Sequence, residues 1–210
     1  MRGCRPFTDQ EVKTIINGFK QSEYKYKSRD LAIFMYGIHT GFRISELLSM
    51  RIQDVSHQWK AHGFARVRRG FTKTKNAGDS KKVEPQAIHY MQDWLDELKE
   101  QKTYKKSDYV FQSQWTGNRS INRNYFYTVL IEICTQNGIY GNVGTHSMRK
   151  TFTNKLRAFL LQEARDTDTP FDVDEILQVE GRWTGRESME KYLTFIGTDI
   201  KNKPIFDYED

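Results

Sequence analysis

Between Arg29 and Phe42 the chain is apolar on nearly every side. Leu31, Ile33, Phe34, Met35, Tyr36 and Ile38 leave no polar stripe for solvent, so a helix here must be covered all round. That requirement makes it a central helix and forces other elements to wrap it. The run ends at His39-Thr40-Gly41, and Gly41 suits a helix C-terminus. A new helix begins at once with Arg43-Ile44-Ser45-Glu46-Leu47. Arg43 is thus held at a break between buried segments, where a guanidinium needs a carboxylate or a phosphate. Glu46, one turn later, is a ready local partner. A structural ion pair and an anion-binding arginine both fit this position.

The covering elements are legible on either side. Thr8-Asp9-Gln10-Glu11 is a capping box, and Val12, Ile15, Ile16 and Phe19 recur at helical spacing, predicting a helix from about Asp9 to Gln21. Gln86 to Gln101 is amphipathic through Ile88, Met91, Trp94, Leu95 and Leu98, with Trp94 expected in the core. Ser120 and Asn122 offer N-caps for a helix through Phe126, Leu130 and Ile133, which Gly138 and Gly141 end. His146 starts a further helix to about Glu163. The polar stretch from Arg165 to Glu175 reads as a loop before a short helix, Val173 to Val179.

Strand signals are confined to one region. Phe64-Ala65-Arg66-Val67-Arg68 alternates like a half-buried strand. Phe71-Thr72-Lys73-Thr74-Lys75 suggests a second strand, Asn76-Ala77-Gly78-Asp79 a turn, and Lys81-Lys82-Val83-Glu84 a third strand stopped by Pro85. The region is basic, with Arg66, Arg68, Arg69, Lys73, Lys75, Lys81 and Lys82 set against Asp79. Such a hairpin can lie along a phosphate backbone, or be an edge that lysines protect from pairing. The fold class that results is mainly α with a small antiparallel β-sheet, an α+β arrangement.

Composition narrows the function. The chain has 210 residues, 37% hydrophobic and 29% charged, with a formal net charge of +6. These values describe a globular domain rather than a disordered chain, with a balance that favours an anionic partner. Cys4 and Cys134 form no metal-type spacing, and His39, His57, His62 and His89 show no ligand pattern, so no metal is expected. No leader-like or membrane-spanning apolar run is present, and a cytoplasmic, nucleoid-accessible protein is the expectation.

The chemistry-bearing stretch lies near the C-terminus. Thr145-His146-Ser147-Met148-Arg149 puts a histidine and an arginine on one helix face. Gly181-Arg182-Trp183 follows, and Tyr192 comes after it. Together with Thr40-Gly41-Phe42-Arg43-Ile44-Ser45-Glu46-Leu47, these patches resemble, in order and interval, the three boxes of the tyrosine recombinase (phage integrase) family. The hairpin between the first two boxes is where that family carries a lysine.

The resemblance implies site-specific cutting and rejoining of DNA through a 3′-phosphotyrosine, with no cofactor, metal or ATP. Tyr192 would be the nucleophile, Arg43 and Arg149 the phosphate clamp, and His146 an aid to proton transfer. Lys73, preferred over Lys75, would protonate the leaving oxygen, and Trp183 would donate its indole N–H or pack beside Tyr192. Glu46 would support Arg43, while Arg66, Arg68, Arg69, Lys75, Lys81 and Lys82 would contact DNA. Two guanidiniums suit this chemistry, because each is planar, always charged and able to donate two hydrogen bonds to a charged phosphorane.

Some features depart from the family pattern. Arg182 intervenes between Gly181 and Trp183, Lys150 follows Arg149 where histidine is common, and the acidic 165–175 segment lengthens the interval. Residues 1–196 are expected to form a catalytic domain without a separate core-binding domain. Residues 197–210 are expected to form a tail that docks on a neighbour. The expected partner is double-stranded DNA, gripped by a homotetramer on paired sites, with a monomer or weak oligomer when DNA is absent. The alternatives are a type IB topoisomerase-like relaxing enzyme and a non-catalytic DNA-binding relative.

Overall fold

A computed structural model describes residues 4–71, 78–101, 104–114, 118–166 and 172–181. It is mostly helical, with two small antiparallel sheets. Helix α1 (Asp9–Gln21) opens with the capping box: Thr8 Oγ1 accepts from the Glu11 amide at 3.2 Å and Glu11 Oε2 accepts from the Thr8 amide at 2.9 Å. Its apolar stripe of Val12, Ile15, Ile16 and Phe19 is buried.

Helix α2 (Lys27–Thr40) is the central element, buried without a break from Arg29 to Thr40. It packs against α1, against α5 (Pro85–Gln101) and against α7 (Thr145–Asp166). Two glycines set the closeness of the last contact. A Cβ on Gly37 would stand 2.8 Å from Met148 Sδ, and one on Gly41 would run into the Phe152 ring. Gly41 also has φ +64, the left-handed cap conformation, and its N–H returns to Gly37 O at 3.1 Å. At the start of α2 a buried ion pair forms between neighbours, Arg29 Nε to Asp30 Oδ1 at 2.8 Å. Arg29 also donates to Gln112 O at 2.9 Å, and Asp30 accepts from Tyr24 Oη at 2.9 Å, so the pair is hydrogen-bonded on both sides.

After Gly41 the chain makes two single-turn helices, α3 (Ile44–Leu47) and α4 (Ile52–Val55), the first of them at the helix start that the sequence signalled. Each has a carboxylate reaching back to the preceding amide: Glu46 to Arg43 N at 2.8 Å, and Asp54 to Arg51 N at 2.7 Å. These local contacts divide the segment.

The β region also differs from expectation. Strands β1 (Ser56–His57) and β2 (Lys60–Ala61) form a hairpin that the sequence did not signal. Its two-residue turn holds Gln58 and Trp59 at positive φ, a geometry usually marked by Asn-Gly. Trp59 packs against the core, a tertiary gain that offsets the strained backbone. Strand β3 (Phe64–Val67) pairs directly with β4 (Asp79–Lys82), in the register Phe64↔Lys82 to Val67↔Asp79. Phe71 is in a turn, and residues 72–77, including Lys73 and Lys75, lie outside the described residues. Pro85, read above as a strand stop, is instead the first residue of α5, where its missing N–H costs nothing.

Trp94 of α5 is 1% exposed and donates Nε1–H to Val110 O at 2.8 Å, as a core tryptophan should. Helix α6 (Arg123–Gln136) is capped by Asn122, and α7 extends to Asp166, beyond the expected end. The chain at the start of α1 braces α7: Phe7 N–H donates to Thr151 Oγ1 at 2.9 Å, and Lys155 pairs with Asp9 at 2.7 Å. Helix α8 (Val173–Gly181) packs on the far half of α7, with Leu177 buried against Leu156, Leu160 and Val173. Residues 182–210 lie outside the described residues, among them Trp183, Tyr192 and the 197–210 tail. No described helix is long and apolar enough to cross a membrane.

His39, buried at the end of α2, makes the fold sensitive to acid. Burial, reinforced by the positive charge of Lys155, pushes its imidazole down to about 3, although Glu84 lies 3.8 Å away. The unfolded chain takes up this proton near pH 6.5. The stability owed to neutral His39 is therefore complete above pH 6.5 and drains away as pH falls toward 3. Urea unfolding from about pH 7.5 to about pH 5 should lose up to about 1.4 kcal/mol per pH unit from this proton, and less in His39→Leu. Equal slopes in the two proteins would contradict this account.

Candidate functional site

The break after α2 and the start of α7 meet at one place. Arg149, on the second turn of α7, is 4% exposed, and its Nη1 donates to the Gly41 carbonyl. That bond joins the predicted second arginine to the residue two before the first. The close α2–α7 approach at Gly37 and Gly41 brings the guanidinium within reach. The Arg149 carbonyl accepts from Thr153 Oγ1 at 2.8 Å, which ties a polar side chain to the helix beneath it.

Arg43 is the N-cap of α3, with an extended backbone. Its Nη1 lies 3.2 Å from Glu46 Oε1, and its side chain is 20% exposed. Glu46 itself is 1% exposed. The carboxylate receives the Arg43 amide on one oxygen and the guanidinium on the other, so one residue fixes both backbone and side chain. The local ion pair expected from the sequence is present, and among the described residues Glu46 is the acidic partner of the Arg43 fork, which has further donors to offer an anion.

His146 lies in the first turn of α7, at the surface but crowded by protein atoms. Its pKa is lowered first by partial desolvation, then by the charges of Arg149, Arg43, Lys150 and Arg123. The imidazole is therefore neutral at pH 7, with one nitrogen able to accept and the other to donate. Those charges make this corner electropositive. Arg123 was not singled out in the sequence. The Asn122 cap places it at the start of α6, and only the tertiary fold turns that end toward His146. The base of α7 is built firmly: Gly144 N–H donates to Ser147 Oγ at 3.0 Å, and Thr151 Oγ1 to Ser147 O at 2.9 Å.

The basic hairpin residues divide into two groups. Arg66, Arg69 and Lys82 are exposed. Arg68 is engaged by the buried Asp54 through two hydrogen bonds, Nε to Oδ1 at 3.1 Å and Nη2 to Oδ2 at 2.8 Å. Lys81 points inward and is 8% exposed. The strand register separates Lys81 from Lys82, because β4 sends alternate side chains to opposite faces. Lys73, Lys75, Trp183 and Tyr192 lie outside the described residues.

Removing the Glu46 carboxylate should be costly. Glu46→Ala leaves the Arg43 amide and a half-buried guanidinium without their shared acceptor, with an expected loss of about 2–4 kcal/mol. Glu46→Gln, which can still accept from the amide, should lose less. Urea unfolding of the two variants checks the order; an Ala variant as stable as wild type would rule out the bracing role.

Comparison with known proteins matches this geometry to one group. Residues 5–158 match the model of the phage integrase family. A probable integrase/recombinase, YoeC of Bacillus subtilis, is 29% identical over 141 residues, which is 65% of this chain and 67% of that protein. The tyrosine recombinase XerD of Oceanobacillus iheyensis is 21% identical over 154 residues, 71% of this chain and 47% of that protein. Among solved structures, the XerA recombinase superposes with a TM-score of 0.69 at 18% identity, over 94% of this chain and 61% of that one. The XerH site-specific recombinase bound to its difH substrate superposes at 0.65 and 17% identity, over 92% of this chain and 51% of that one. The chain thus spans about half to two thirds of the length of these proteins.

Proposed function

Because this chain belongs to the phage integrase family, we propose that it recombines DNA at specific sites, cutting and rejoining strands through a 3′-phosphotyrosyl intermediate. The observation that carries this reading is the hydrogen bond from Arg149 to the Gly41 carbonyl, which brings the second arginine to within two residues of Arg43, with His146 one turn before Arg149 on α7. A scissile phosphate is the anion such a corner suits. Arg149, held by the Gly41 carbonyl, and Arg43, held by Glu46, would donate to its non-bridging oxygens. Both guanidiniums are oriented before the phosphate arrives, so little reorganisation is needed as charge builds on the phosphorane.

Tyr192 attacks phosphorus, and its phenolic proton passes to His146, which is unprotonated at pH 7 and can receive it. The phosphorus–tyrosine bond forms as the bond to the 5′-oxygen breaks. The leaving oxygen takes a proton from Lys73, or from Lys75 in its place. Ester energy is conserved in the new bond, so a 5′-hydroxyl can reverse the step without ATP or a metal. Trp183 supports the phosphate or the tyrosine ring. Arg66, Arg69, Lys82 and Lys75 lie along the DNA backbone, while Arg68 is given to Asp54. The active assembly is a homotetramer on paired sites in the cytoplasm, with the 197–210 tail docking between neighbours. The XerH complexes with difH substrates show a similar fold used on DNA, which supports the choice of partner.

A nicked suicide DNA substrate in EDTA tests the reading. Wild type should give a denaturation-resistant protein–DNA adduct, and Tyr192→Phe none. Arg149→Ala should slow adduct formation by about a hundredfold or more, the cost of removing an oriented donor from a developing charge. An adduct that persists in Tyr192→Phe would move the nucleophile elsewhere. Relaxation of a plasmid lacking any target site would favour a topoisomerase.

A further inference from the structure

Lys81 is a lysine in a place that ought to hold an apolar residue. The alternation along β4 sends Lys81 inward, as it does Val83 just beyond the strand, and Lys81 pairs with Ala65, whose small side chain leaves room for it. A buried ammonium is costly unless its donors are used. Here they are used on α8. Nζ donates to the Glu180 carbonyl, lies 3.2 Å from Glu180 Oε2, and sits 5.3 Å from the centre of the Phe152 ring. Burial pushes the ammonium below the ordinary lysine range, Glu180 and Asp79 pull it back, and the nearby Arg149 lowers it again.

The two ends of this contact make it more than a surface pair. Glu180 is the penultimate residue of α8, where carbonyls lack partners within the helix and favour a cation. Phe152 is the residue whose ring fills the space at Gly41, next to the carbonyl that holds Arg149. Among the described residues, Leu177 is the buried apolar anchor of α8, in a cluster separate from the main core. A small apolar contact allows sliding and rolling, whereas a cation on a terminal carbonyl sets both rotation and register.

We propose that Lys81 is a positioning residue, which from inside the β3–β4 hairpin pins the last turn of α8 against Phe152 and so fixes where the chain leaves α8 relative to Arg149. Trp183 and Tyr192 follow Gly181 in sequence, so the delivery of the tyrosine to the phosphate depends on this pin. That consequence rests on the preceding reading; the pin itself does not. The role is distinct from donating a proton to the leaving oxygen, because the ammonium faces Glu180 and Phe152 inside the protein.

Two measurements on the intact chain separate the possibilities. The first is amide hydrogen exchange in DNA-free wild type, Lys81→Met, Lys81→Arg and Glu180→Gln. Lys81→Met should speed exchange in the last turn of α8 by about tenfold or more and leave the centre of α2 unchanged. Glu180→Gln, which keeps the carbonyl contact and folds more safely, should give a smaller rise, and Lys81→Arg should recover part of the protection. The second is single-turnover cleavage of the suicide substrate, with the bridging 5′-oxygen either normal or replaced by sulfur, which leaves without a proton. Lys81→Met should cleave both substrates about tenfold or more slowly, with DNA affinity within about twofold of wild type, as expected for lost orientation.

Unchanged exchange in Lys81→Met would overturn the pin. Recovery of normal cleavage on the sulfur substrate would make Lys81 the proton donor and overturn the positioning role. If wild type itself forms no adduct, the recombinase reading fails while the exchange experiment still judges Lys81.

Discussion

The closeness of α2 and α7 is the constraint on which the rest depends. Gly37 and Gly41 carry no side chain where Met148 and Phe152 press in. Without that approach Arg149 could not reach the Gly41 carbonyl, and the two arginines would lie on separated helices. The contact explains why the central helix must end at a left-handed residue. The chain has to turn sharply at Gly41, directly over Phe152, to start α3 with Arg43 at its cap. The arginine site is therefore a product of backbone packing as much as of the arginines. Interior packing at this density does not tolerate an added methyl group without movement.

Charge is managed differently in the two halves of the site. Arg43 and Arg149 are each anchored inside the protein, by Glu46 and by the Gly41 carbonyl, and desolvation together with the charges of this corner keeps His146 neutral. Elsewhere charges are neutralised internally. Arg29 is matched by Asp30, Arg68 by Asp54, and Lys81 by Glu180. A chain with a net charge of +6 thus spends part of its basic content on its own carboxylates and leaves part of it at one corner and one exposed strand face. Lysine and arginine counts alone cannot tell these uses apart, since burial decides whether a cation serves the fold or faces a partner.

The contrast between Lys81 and Lys82 shows the limit of sequence reasoning. They are adjacent, identical in type and part of the same basic run. A period of two places one inside against Ala65 and one outside opposite Phe64. Choosing which is which requires the register of β4, and that depends on β3 and on what α8 brings to the inner face. The hairpin of β1 and β2 was missed for a related reason. Gln58-Trp59 has no turn signature, and its left-handed backbone is held by Trp59 packing on the core. In the same way Pro85 reads equally well as the end of a strand or the start of a helix, and the tertiary structure makes it the latter.

By itself, the sequence determined the parts that short-range forces set. The capping box of α1, the all-round apolar α2, the glycine at its end, the Arg43–Glu46 pair and the shared face of His146 and Arg149 follow from neighbours within a turn or two. The Arg43 and His146–Arg149 patches lie within residues 5–158, the stretch that matches the family, while the patch of Trp183 and Tyr192 lies beyond it. The tertiary structure alone decided what spans long separations. It put Arg149 on the Gly41 carbonyl, turned Arg123 toward His146, gave Arg68 to Asp54 and buried Lys81 beneath α8. Each of these joins side chains or backbone from different elements, and their meeting is fixed by how helices and strands pack, which no local pattern encodes.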